Sequence, residues 1–227
     1  MLITAMMITG KHPDRIKMAK VAVRCFLEQT HCEKELIIIN DGRVALGCED
    51  RGVHELMLPF SAKNTLGDLR NLALERARGD LVLLWDDDDW HHPKRMETQA
   101  AAWENGLPVL LKKQVRYNFL NGAAFVQESP SGINGTMLHE RSCGVRYPSV
   151  RKGEDTHFLA AFPRRKVIDA PPSLHIRFYH GGNTWDGEFI MHEYHSDAAR
   201  GRWKLPAADA RLLRSDLKKS YGWKPMK

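Results

Sequence analysis

Residues 77–90 read Ala77-Arg78-Gly79-Asp80-Leu81-Val82-Leu83-Leu84-Trp85-Asp86-Asp87-Asp88-Asp89-Trp90. Residues 81–85 are an apolar run of core-strand length, and four carboxylates follow without a break. Upstream, the same grammar repeats. Leu66, Leu69 and Ala73 recur at helical spacing until Gly79, and Thr65 with Asp68 has the spacing of a capping box. Residues 53–58 and 36–39 are short strands, the latter closed by Asn40-Asp41-Gly42, a strong turn signal. Residues 2–8 form a further buried strand, broken at Thr9-Gly10-Lys11. Pro13 then suits a first helical turn, with Ile16, Ala19, Val23 and Phe26 on one face. Downstream, residues 93–105 read as a helix with Gly106 just past its end. The order β-α-β-β-α-β-α predicts an α/β fold with a mainly parallel sheet. Ligands of such sheets gather at the carboxyl ends of the strands. Thr9-Gly10, Asp41-Gly42 and the four aspartates would therefore share one edge.

The second half is less regular. Residues 114–119 and 123–127 flank Asn121-Gly122 as a hairpin. Residues 133–139 and 174–180 read as strands, and 154–162 as a helix. The 227 residues, 43% hydrophobic and 27% charged, suit one domain with an extension and exclude a collagen-like, coiled-coil or largely disordered chain. No apolar run approaches the roughly 20 residues that span a bilayer. The N-terminus has no basic region ahead of its apolar stretch, so no signal peptide is expected. Cys25, Cys32, Cys48 and Cys143 form no C-x-x-C pair, which argues against a zinc site or disulfide framework and makes a cytoplasmic location the default. Lys and Arg number 34 against 28 Asp and Glu, a net charge of +6 that favours anionic partners.

Four adjacent carboxylates at a strand end repel one another unless a cation binds. A hard divalent ion, Mg2+ or Mn2+, suits their oxygens and usually also takes substrate phosphates. Residues 86–89 thus read as a D-x-D metal and nucleotide site, or else as a solvated acidic turn. Strand alternation would put Asp86 and Asp88 on one side and Asp87 and Asp89 on the other. Gly153-Glu154-Asp155 offers a second pair of acids, either a general base with its neighbour or ordinary helix N-terminal acids. Taken singly, Asp41 is also what an Asp-Gly turn needs, Thr9 a plain strand end, Arg70 a solvated helix arginine, and His180 one of 11 histidines.

Gly67-Asp68-Leu69-Arg70-Asn71-Leu72-Ala73, followed by residues 77–90, resembles the donor-binding half of family 2 glycosyltransferases, over roughly residues 2 to 183. The resemblance implies the GT-A fold, a mainly parallel, Rossmann-like sheet with helices on both faces and a smaller β-rich region on the acceptor side. It implies a domain at 1–183, split into a nucleotide-sugar half (1–106) and an acceptor half (107–183). Residues 184–227 would be a basic, aromatic extension. Thr9 would lie against the base, and Asp41 would accept from its imide N–H. Arg70 would reach the nucleotide or the first aspartate, and Asp86 and Asp87 would belong to the donor site. Asp88 would bind Mn2+ or Mg2+, with His180 completing the shell. Asp155 would be the catalytic base and Glu154 would position the acceptor. The implied activity is inverting transfer from a nucleotide-diphosphate sugar, most often UDP-linked, to an acceptor hydroxyl.

For the acceptor, an envelope saccharide or polysaccharide follows from the resemblance. The charge and the tail leave room for a hydroxylated DNA base. Residues 200–227 carry nine Lys or Arg against two Asp, with Trp203, Tyr221 and Trp223. That composition suits a lipid surface, a nucleic-acid backbone or a solvated helix. Two other classes compete. One is a non-catalytic GT-A-like module that binds nucleic acid or saccharide. The other is a nucleotidyltransferase, which would want phosphate-cradling glycines where only Gly10 stands.

Overall fold

Four short strands form one side of a seven-stranded sheet. In the computed structural model, which describes residues 1–10, 15–61, 63–119, 124–181, 183, 211 and 215, they are β1 (Ile3–Thr9), β2 (Lys34–Asn40), β3 (Val53–Met57) and β4 (Leu81–Leu84). β1 lies between β2 and β4, and β2 next to β3, all parallel. With β6 (Val109–Leu111), β9 (Leu138–Glu140) and β10 (Lys166–Ile168) the order is β10-β6-β9-β4-β1-β2-β3. Only β9 runs against its neighbours. The fold is therefore α/β with a mostly parallel sheet, as expected.

Both faces are covered. Ile3, Ala5, Met7, Leu81 and Leu83 pack with Ala22 and Phe26 of α1 (Arg15–Leu27) and Met96 of α3 (Arg95–Ala101). Their alternates Met6, Val82 and Leu84 pack with Leu69 and Ala73 of α2 (Leu66–Arg76) and Phe158 of α4 (Glu154–Ala160). Each such side chain contributes roughly 1.5–3 kcal/mol on burial. α2 starts on the predicted capping box, with Thr65 and Asp68 satisfying each other's backbone N–H.

A second sheet has the order β5 (Trp90–His91), β11 (His175–Tyr179), β7 (Lys113–Asn118), β8 (Ala124–Glu128). β5 begins immediately after Asp89, so the four aspartates are the turn that carries the chain from one sheet to the other. Trp85 pins the entry to that turn. It is fully buried, donates from Nε1 to the Ala22 carbonyl at 3.0 Å and stacks on His91 at 3.7 Å.

Three expectations are corrected. The helix expected at 93–105 spans only Arg95–Ala101, because Glu104 bridges Leu107 across Gly106 at φ 73° and turns the chain into β6. The strand expected at 133–139 is first a 3-10 turn, Asn134–Thr136, since the Thr136 hydroxyl donates back to the Ile133 carbonyl at 2.6 Å. The strands β5, β6 and β10 were not foreseen, being two or three residues long. Pro13, the Asn121-Gly122 turn, Trp185 and Trp203 lie outside the described residues.

Candidate active site

The carboxyl ends of β1, β2 and β4 open on one cavity of about 390 Å3. Thr9 and Asp41 line it where β1 and β2 end. The two loops touch there through glycines. A Cβ on Gly10, at φ 126°, would come within 2.2 Å of the Gly42 nitrogen, so no side chain fits between them. Asp41 is 1% exposed, and its N–H donates to the Thr9 carbonyl at 3.1 Å.

Each aspartate is held by a side chain from another element. Arg70 donates to Asp86 at 3.3 Å. Arg15 pairs with Asp87, which also receives the Thr9 hydroxyl. Asp88 Oδ2 has Arg15 at 2.6 Å and His180 Nε2 at 3.1 Å. Asp89 accepts the Phe178 N–H at 3.1 Å and has His175 Nε2 at 3.0 Å, so it ties β11 to the turn. The expected alternation does not hold. The strand stops at Leu84, residues 87 and 88 are a turn, and Asp87 and Asp88 share one arginine.

Burial and charge sort these acids. Burial pushes Asp87 up to about 7 despite Arg15. Burial would raise Asp88 too, but Arg15 and the His180 hydrogen bond outweigh it and hold Asp88 below the usual carboxylate range. Burial beside Asp88 and Asp86 raises Asp89 well above that range.

Support comes from beneath. Arg95 is fully buried and lies over the Trp85 ring at 5.4 Å. It donates to the Leu84 carbonyl and Gln99 Oε1, each at 3.1 Å, and to His91 Nδ1. An arginine always donates, so His91 carries its proton on Nε2 and offers it to the Asp86 carbonyl at 3.3 Å. Burial keeps His91 neutral.

The acceptor wall is joined to this floor by α2. Arg70, 5% exposed, reaches Glu154 at 3.0 Å with its other nitrogen and lies 5.7 Å over the Tyr147 ring. Asn71 donates to the Tyr147 carbonyl at 2.8 Å and accepts its N–H at 2.9 Å. A Cβ on Gly67 would meet the Pro148 oxygen at 1.8 Å, so only glycine lets the loop lie this close. Asp155 lines the cavity at the start of α4, its Oδ1 accepting the Thr156 N–H at 2.7 Å.

The family model for glycosyl transferase family 2 matches residues 14–145, which hold β2, α2, β4 and the aspartate turn. The chain belongs to glycosyl transferase family 2. No curated protein matches its sequence. Among solved structures, S. aureus TarS in complex with UDP-GlcNAc is similar at a TM-score of 0.63 and 16% identity, over 81% of this chain and 60% of that one. A longer TarS structure aligns over 99% of this chain but 44% of its own, at a TM-score of 0.62 and 15% identity. Mannosyltransferase PcManGT from Pyrobaculum calidifontis, in complex with GDP-Man and Mn2+, is similar at 0.60 and 12% identity, over 95% and 69%. At these identities the likeness is one of fold. This family 2 chain spans less than two thirds of both of those TarS chains.

For a family 2 chain, the donor set decides whether a cation fits. Among the described residues no three His, Cys, Asp or Glu are grouped to hold a metal ion. Asp88 and His180 together supply one oxygen and one nitrogen. That suits a hard cation that draws most of its shell from substrate phosphates and water, and does not suit an all-protein cage. Among the expected site residues, Thr9, Asp41, Arg70, Asp86, Asp87, Asp88, Glu154 and Asp155 line the one cavity, and His180 joins through Asp88. Arg15, Asn71 and Arg177 went unforeseen. Arg177 lines the cavity from β11, within the field of Asp89, Asp86, Asp88 and Asp155. Arg15 stands in the first turn of α1, the end at which the helix dipole disfavours a cation.

Proposed function

We propose that this family 2 chain is a glycosyltransferase that moves a sugar from a nucleoside-diphosphate donor to an acceptor hydroxyl with inversion. The observation that carries the reading is the meeting of two carboxylate groups, Asp86 to Asp88 and Glu154 with Asp155, across one cavity whose other walls are Arg70 and Arg15. The base of the donor, UDP in the first instance, would rest by Thr9 and Asp41. Asp41 would accept the imide N–H. Asp88 and His180 would hold a divalent cation. When bound, that cation would neutralise the leaving diphosphate as a Lewis acid.

Asp155 would take the proton of the acceptor hydroxyl as its oxygen attacks the anomeric carbon. The bond from that carbon to the diphosphate oxygen breaks, and the diphosphate leaves with the electron pair. Glu154, tied to Arg70, would hold α4 in register. Arg151 and Lys152 line the same mouth and favour an acceptor that carries negative charge, a DNA backbone included.

Release of UDP from UDP-sugars, and of GDP from GDP-sugars, tests the reading with and without Mn2+. Manganese-dependent turnover that Asp88→Asn abolishes is expected. Equal turnover by that variant would refute the cation assignment. A salt-sensitive shift of duplex DNA would favour the nucleic-acid acceptor, and absence of binding at low salt would remove it.

A further inference from the structure

Three donors crowd Asp88 Oδ2. The Arg15 guanidinium lies 2.6 Å away, His180 Nε2 3.1 Å and Asn183 Nδ2 3.4 Å. The same guanidinium nitrogen pairs with Asp87 Oδ1. A divalent ion arriving at this oxygen meets a cation already in place, and like charges so close repel strongly where water is scarce. Three donors already crowd the two lone pairs of that oxygen, so the ion enters there as a donor leaves, and Arg15 is the donor whose charge opposes it.

Arg15 can leave toward something. Its side chain is 19% exposed and lines the cavity the donor would enter. Its Nε is buried with no hydrogen-bond partner among the described residues. A guanidinium presents its N–H groups in a rigid fork that matches phosphate oxygens. Here one edge of the fork is used on carboxylates and Nε is unused.

We propose that Arg15 is an exchangeable counter-ion. It occupies Asp87 and Asp88 while the donor is absent, and yields them to a divalent cation when a nucleoside diphosphate arrives to take the guanidinium. The inference rests on the donor-site reading above. A cation and a diphosphate together change the site's charge little, so the pair enters where the bare ion is opposed. Nucleotide and metal then tighten each other by the same factor, as linkage requires.

Mn2+ binding to the full chain tests this, read by electron paramagnetic resonance of the free ion, with and without UDP. In the wild type UDP should tighten Mn2+ at least tenfold. Arg15→Gln should bind Mn2+ without UDP at least tenfold more tightly than the wild type and lose most of the tightening by UDP. Arg15→Lys, which keeps the charge, should stay near the wild type without UDP. Nucleotide-free Mn2+ should also raise the Tm of Arg15→Gln more than that of the wild type, a readout that survives if the variant is less stable. Arg15→Gln binding the bare ion no better than the wild type, while Asp88→Asn loses it, overturns the exchange and leaves the donor site standing. Asp88→Asn binding Mn2+ as the wild type does overturns both.

Discussion

Two groups of acids face each other across the cavity and are held in opposite ways. Asp86 to Asp89 are each fixed by a partner from elsewhere in the chain: Arg70, Arg15, His180 and His175. Among the described residues, the Asp155 side chain leans on its neighbour Thr156, through an N–H and a hydroxyl, at the tip of a seven-residue helix. Glu154 beside it is buried and tied to Arg70. The difference suits the roles proposed for them: a site for a cation and a diphosphate gains from acids held in place, whereas a general base must stay within reach of an incoming hydroxyl. Arg70 touches both groups, through Asp86 and Glu154.

The comparison breaks most sharply at the base. Asp155→Asn should lower kcat by about 10²–10⁴-fold and leave Mn2+ and UDP binding as in the wild type. Loss of metal binding in that variant would mean that the two groups are one. Next comes the link. Arg70→Met leaves Glu154 buried without its cation and should cost about 3–5 kcal/mol in urea unfolding. Arg70→Met with Glu154→Leu should recover much of that, and a double variant no better than the single would show that Arg70 does not act through Glu154.

Smaller effects separate the scaffold from the site. Burial lowers His139 to about 4 and holds His91 and His175 well below their ordinary value. A group whose folded pKa is depressed binds its proton more readily when unfolded. The share of stability that His139 contributes is therefore full above about 6.5 and falls as pH drops toward 4, by about 3 kcal/mol, while the raised carboxyls of Asp87 and Asp89 favour the folded state as pH drops. The difference in thermal stability between the wild type and His139→Gln should therefore shift in favour of the variant between pH 7 and 4. A difference that does not change with pH across that range would contradict a buried neutral His139. Asn71→Ala, which removes two hydrogen bonds to Tyr147, should cost about 1–3 kcal/mol. A neutral result would place the hold on the acceptor loop elsewhere.

The same asymmetry decides what was legible. The strands β1 to β4 and the Thr65 box were readable because each is a local pattern, and the Asp-Gly and four-aspartate breaks fell on one edge as the strand order requires. Glu154 and Asp155 were readable only as a motif beside those aspartates. What was lost depends on distant pairing. β5, β6 and β10 are too short to show a period. Asn71 matters because residue 147 folds back on it. Arg15 and Asp87 are 72 residues apart. The expected alternation of the aspartates failed because residues 87 and 88 are a turn, which periodicity cannot see.

The central claim is that Asp88 and His180 hold a divalent ion against a donor's diphosphate. Crystals soaked in MnCl2 and UDP test it directly through the anomalous signal of manganese. The account predicts one strong peak within coordination distance of Asp88 Oδ2, His180 Nε2 and both phosphates, with Arg15 turned off the aspartates. Bound UDP with no manganese peak, and Arg15 still on Asp87 and Asp88, would contradict it.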